Sequence, residues 1–255
     1  MYNARIYIIT FLSIFIFSCN RSQETAFIDL KNAFNGWYLK ANPLVSESYN
    51  QIDNVDGWRN YNSEYLEEYF ADLHRFFIEL SQIDRPKLSD ELLFEYLVLW
   101  SFLKNTIYFE NNLNPTQWDF SIWTNKIKTG LKNINLECGT LTAKEENLLK
   151  SRLAELNNLS GNIIENLTNP VNSLTEDGNS QITKLQNRIL TFLVECESDS
   201  NIYERWDSIL TQSHYQLSEL TKNVKGIKQL EYPQFENKIW QDGYEIYLGQ
   251  FLEDL

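Results

Sequence analysis

The chain has 255 residues, with 22 Lys and Arg against 35 Asp and Glu, a formal net charge of −13. That balance repels a phosphate backbone and argues against a nucleic-acid partner. Hydrophobic residues at 43% supply enough apolar surface for a core and exclude global disorder, while few Gly and Pro, and more Leu and Ile than Val, favour helices over sheets.

Arg5 provides a short positive segment, and an apolar run follows from Ile6 to Phe17, broken only by Thr10 and Ser13. This run is too short to cross a bilayer core of about 30 Å comfortably, but it suits a signal-peptide core. It ends in Ile16-Phe17-Ser18-Cys19, which resembles the lipobox of bacterial lipoproteins. Phe17 departs from the small or hydroxyl residue usual at its place. The resemblance implies cleavage after residue 18 and acyl chains, palmitate among them, on Cys19, with the mature protein held on a bilayer by more than one chain. The alternatives are a buried amino-terminal helix with an incidental Cys, or a true transmembrane anchor. Residues 1–18 contain one charged side chain, Arg5, so the mature charge would be 21 minus 35, or −14. Asn20, following the Cys, is compatible with the outer membrane, on its periplasmic or surface side. Residues 19–25 are expected to be the lipidated Cys and a polar tether.

Residues 26–255 are expected to form one all-α domain, an antiparallel multi-helix bundle. Phe27, Leu30, Phe34 and Trp37 recur at helical spacing over 25–40, and Asn42-Pro43 stops the run. Residues 46–62 are expected to be a long connection. A second helix spans 63–83, ended by Arg85-Pro86. Ser89 is the expected N-cap of a third, running to about Phe109. Asn111 to Pro115 is a break, and a shorter helix covers 121–134. Thr142 and Glu145 form a capping box that opens a helix through Leu148, Leu156 and Ile163. Asn169-Pro170 closes it and starts the next, Pro suiting a first helical position, and Gly178-Asn179 would kink or split that helix. Another helix covers 201–224, Tyr232-Pro233 breaks the chain, and a final helix starts near Phe235.

Chemistry is thinly signalled. His74 and His214 lack a second ligand four residues away, so no one-helix zinc site is expected. No nucleophile elbow or phosphate-binding glycine loop occurs. Glu67-Glu68 and Glu145-Glu146 diverge on a helix and suit solvated faces and caps. Asp53 to Gly57 lacks the alternating oxygen ligands of a calcium loop and fits a plain turn. No metal, no cofactor and no catalytic residue is expected. Cys138 and Cys196 are expected as two separate, partly buried thiols, with a disulfide between them as the alternative. The aromatics Trp37, Tyr38, Trp58, Tyr61, Trp118 and Trp123 sit around two loops, where they would either grip a ligand or plug the bundle.

Gly36 to Pro43, the helix from Leu92 to Glu110 leading into Asn114-Pro115-Thr116-Gln117-Trp118, the 148–167 helix with Asn169-Pro170, and Gly243 to Leu248 follow an order that resembles the bacterial family of unknown function DUF 885. The resemblance runs over residues 26–255 through loose apolar patterns. Its members carry an H-E-x-x-H helix in a carboxy-terminal half and resemble zinc-dependent peptidases. No position here matches that helix, so the resemblance implies the non-catalytic amino-terminal half. The expected function is a membrane-anchored binding or interaction module, with a possible protein partner at the apolar stripe of Phe251, Leu252 and Leu255. The alternative is part of a peptidase-like enzyme whose zinc helix lies on another segment.

Overall fold

The computed structural model describes residues 22–49, 57–135 and 137–231. Among these, nine α-helices pack on one another: α1 (Gln23–Ala41), α2 (Pro43–Ser48), α3 (Ser63–Ser81), α4 (Asp90–Thr106), α5 (Phe120–Gly130), α6 (Ala143–Ala154), α7 (Leu156–Asn166), α8 (Asn172–Cys196) and α9 (Ser200–Gly226). The fold is all-α. Its one β interaction among the described residues is an isolated parallel bridge between Val171 and Leu230.

The helices start where side chains satisfy the free amides of a first turn. The Ser22 hydroxyl accepts from the Thr25 amide, the Asn62 side-chain Oδ1 from the Tyr65 amide, and the Asp199 carboxylate from the Asn201 and Ile202 amides. Thr142 and Glu145 form the expected capping box. Ser89 precedes α4 but makes no side-chain cap. Its own amide instead donates to the Glu24 carboxylate.

The buried side chains fall into two clusters. α1, α3 and α4 enclose Phe27, Phe34, Leu73, Phe76, Leu80, Tyr96 and Leu103. The helices from α5 onward enclose Phe120, Trp123, Ile127, Leu156, Ile163, Ile189, Phe192, Trp206 and Leu217. α8 and α9, joined by a short turn, form a helical hairpin that is the spine of the second cluster, with α5 and α7 laid against it.

Several expectations are corrected. Cys138 and Cys196 are bonded to each other, their Cα atoms 5.3 Å apart, rather than standing as two thiols. Cys196 ends α8, and the turn that carries Cys138 lies beside it. The 148–163 helix breaks at Glu155 into α6 and α7. Pro170 is not the first helical residue. It precedes the bridge residue Val171, its carbonyl accepting from the Leu230 amide, and α8 begins after Val171. α8 runs unbroken through Gly178; an extra carbon there would lie 2.5 Å from the Phe120 ring, so the glycine admits a neighbour rather than a bend. Part of the 46–62 connection is helical, in α2. Beyond α4 the chain winds a π-helical turn over Ile107–Leu113 before Asn114 turns into the left-handed region (φ 41°). Cys19, Asp53 to Asp56, the helix expected from Phe235 and the stripe of Phe251 to Leu255 lie outside the described residues.

Candidate functional site

Between the two clusters runs a polar seam, built from α2 and the extended stretch Trp58 to Tyr61. Arg152 of α6 is almost fully buried. It donates to the carbonyls of Gly130 (2.8 Å) and Gly57 (3.2 Å) and pairs with the buried carboxylate of Glu47 on α2 at 2.8 Å. Lys132 meets the other oxygen of Glu47 at 3.0 Å. Trp58 fills the notch beside them. Its ring lies against Gly130, where any Cβ would stand 2.2 Å from the indole, and its Nε1 donates to the Arg152 carbonyl.

Arg59, next along, is 7% exposed. It donates to Glu110 of the π-turn (3.2 Å) and to Asn42 (3.3 Å), and its guanidinium lies 3.7 Å from the centroid of the Tyr69 ring. Burial opposes its charge, but Glu110 and the flanking rings outweigh that, so the guanidinium is held above its ordinary range. Burial also pushes the Tyr69 phenol up. The Arg59 Nε is buried and has no partner among the described residues.

The seam opens on one side into a cleft of about 640 Å³. One wall is Trp58, Arg59, Asn60 and Asn62. The other is the outer face of α7, with Asn157, Asn158, Asn162 and Glu165, and Glu155 stands at the α6–α7 break. α7 turns Leu156, Leu159 and Ile163 into the core, and helical periodicity therefore leaves its amides on the outside. Two contacts tie the walls: the Trp58 amide donates to Glu155 (3.4 Å), and Asn166 donates to the Tyr61 carbonyl (2.8 Å). The cleft thus offers one indole, several primary amides, two carboxylates and one guanidinium. That set makes neutral hydrogen bonds in both directions and disfavours an anion.

The six aromatics singled out from the sequence do not converge. Trp37 stacks on Tyr69 (5.1 Å) and Tyr38 meets Phe102 edge-on (5.1 Å), both in the first cluster. Tyr61 packs against Trp123 at 4.8 Å in the second. Trp123 has no exposed surface and donates its Nε1 to the Thr116 carbonyl, so as a ligand platform it is corrected to a core residue. Trp118 donates to the Leu113 carbonyl and braces a turn. Trp58 alone of the six lines the cleft. The amides of α7 were missed because Asn enrichment resembles plain composition. The signal was available in the alternation of Leu156, Leu159 and Ile163 with Asn157, Asn158 and Asn162.

His74 is exposed with its Nε2 3.4 Å from Asn111, and the backbone carbonyl of His214 accepts from Gln186. Among the described residues no three His, Cys, Asp or Glu side chains gather as metal ligands, and no helix is long and apolar enough to cross a membrane. No family model, no curated protein and no solved structure matches this chain.

Proposed function

We propose that this chain is a lipid-anchored, non-catalytic helical binding module, and that the cleft between Trp58–Asn62 and α7 is its recognition site. The observation that carries the reading is the concentration of primary amides, with an indole beside them, on the walls of one cleft of about 640 Å³. Amides and carboxylates that donate and accept in pairs, next to an aromatic surface, suit a neutral polyhydroxylated ligand, a saccharide. The two carboxylates against one guanidinium make it a poor host for phosphates. Cys19, within a signal-like amino terminus, supplies the attachment to the bilayer in the cell envelope. On this reading the chain corresponds to the amino-terminal half of a DUF 885-like protein, working by recognition alone.

Calorimetric titration of the full chain with neutral oligosaccharides, acidic oligosaccharides and short peptides tests the site. A neutral sugar should bind, and replacing Asn157 and Asn158 together by Ala should weaken it about tenfold or more, as for loss of one or two hydrogen bonds. Binding that survives the double replacement, or that selects peptides, refutes the assignment. The attachment is tested separately, by the mass of the amino-terminal peptide and by whether Cys19→Ala frees the protein from membranes.

A further inference from the structure

α4 has two apolar faces. One holds Tyr96, Leu99 and Leu103 in the first cluster. The other carries Phe94, Val98 and Phe102, spaced four residues apart and so aligned along about 12 Å of helix. These are 69%, 54% and 37% exposed, and Phe109 of the π-turn is also exposed. Asp90 and Glu91 sit at the start of this face, and Glu95 at its edge is paired with Lys31 of α1. A contiguous row of exposed Phe and Val beside a paired charge marks a surface that meets another apolar phase.

The occupant follows from where the chain is tethered. Gln23 of α1 accepts from the Asp84 amide and Glu24 from the Ser89 amide, so the first turn of α1 and the entry to α4 lie side by side. Cys19 precedes Ser22 by three residues, a span of about 11 Å at full extension. Acyl chains on Cys19 would therefore hold the entry of α4 within reach of the bilayer surface. Phe94 stands one turn into that helix. We infer that the Phe94–Val98–Phe102 face of α4 rests in the interfacial layer of the bilayer, as a second attachment beside the lipid, with α4 lying along the membrane plane. A half-buried apolar helix face adds to an acyl anchor without spanning the membrane. The unbalanced carboxylates at its entry favour a zwitterionic surface over an anionic one. This inference rests on the acylation of Cys19 proposed above.

The test uses acylated full chain in phosphatidylethanolamine–phosphatidylcholine vesicles. A nitroxide is placed by Val98→Cys or, as the reference, by Tyr215→Cys on α9, whose native side chain is 63% exposed. With Cys19 acylated and Cys138 bonded to Cys196, the introduced thiol is the one that labels. The ratio of oxygen to aqueous nickel accessibility should be severalfold higher at position 98 than at 215, and should fall to the reference value in detergent-free buffer after proteolytic release from the anchor. An aqueous ratio at position 98 with Cys19 shown by mass to be acylated overturns the docking and leaves the anchor standing. Dipolar broadening at position 98 assigns the face to a second copy and also overturns it. An unmodified Cys19 removes the anchor, and the docking inference falls with it.

Discussion

Replacing Arg152 by Leu removes the central cation of the seam. The Glu47 carboxylate, 7% exposed, would keep only Lys132, whose own side chain is 52% exposed. Breaking a buried ion pair from one side costs about 3–5 kcal/mol, and Lys132 holds the figure to the lower part of that range. The carbonyls of Gly57 and Gly130 lose their donor as well, at about 1 kcal/mol or more each where water cannot reach them. A loss of about 5 kcal/mol is therefore expected, equivalent to a fall in melting temperature of about 10–20 °C for a domain of this size. Changing Glu47 to Leu in the same chain removes the stranded charge. The double variant should recover much of the loss, since apolar replacements of a buried pair are often near neutral. Urea unfolding of the wild type, both single variants and the double variant gives the coupling directly. A loss below about 1 kcal/mol in Arg152→Leu, or a double variant no more stable than Arg152→Leu, would refute the reasoning.

Gly178→Ala gains about 1 kcal/mol of helix propensity but sets a methyl 2.5 Å from the fully buried Phe120 ring. Overpacking at about 1–3 kcal/mol should win, lowering the denaturation midpoint; a raised midpoint would mean that Phe120 shifts freely. Reduction of the Cys138–Cys196 bond, which closes a loop of 58 residues, should cost about 4 kcal/mol on the chain-entropy account, read as a drop in melting temperature on adding a thiol reductant to unfolded and refolded protein. The Thr142 amide and hydroxyl hold the Glu145 carboxyl below its ordinary value of 4.5. Its folded pKa is depressed, so its contribution is complete above that value and is lost as pH falls through the folded one. Glu145→Gln should therefore cost stability at pH 7 and almost none near pH 2, and an equal cost at both would assign the effect to something other than the carboxylate. Thr142→Ala should cost about 1 kcal/mol, checked in the same pH-7 urea series.

The helices were readable because their apolar residues recur at the helical period and their first turns carry Ser, Asn, Asp or Thr where a cap is needed. Asn62, Thr142 and Asp199 act at the ends that local spacing alone suggests. What escaped depends on partners far away in the chain. The break at Glu155 has no Gly or Pro to announce it; Glu155 faces the Trp58 amide, 97 residues away. Pro170 looked like a helix start until Leu230 claimed its carbonyl. Cys138 and Cys196 are joined by packing that spacing does not encode. The cleft belongs to the same class: its walls, the stretch from Trp58 to Asn62 and the α7 helix, lie about a hundred residues apart in the chain and are joined only by contacts such as Asn166 to Tyr61. The cleft aromatics were overcounted because an indole sealed in the core, such as Trp123, and one that lines a cleft, such as Trp58, look alike in sequence.

The π-turn over Ile107–Leu113 has a consequence for how this gene tolerates length changes. A wide turn accommodates one more residue than regular winding would. Losing a single codon there would let the segment tighten to ordinary pitch, so that residues beyond the turn keep their facing while those within it rotate about the axis. Glu110 would then point away from Arg59, stranding a cation that its burial cannot support. In-frame deletions in this stretch should consequently be rejected far more often than substitutions at its exposed positions, such as Asn111 and Asn112.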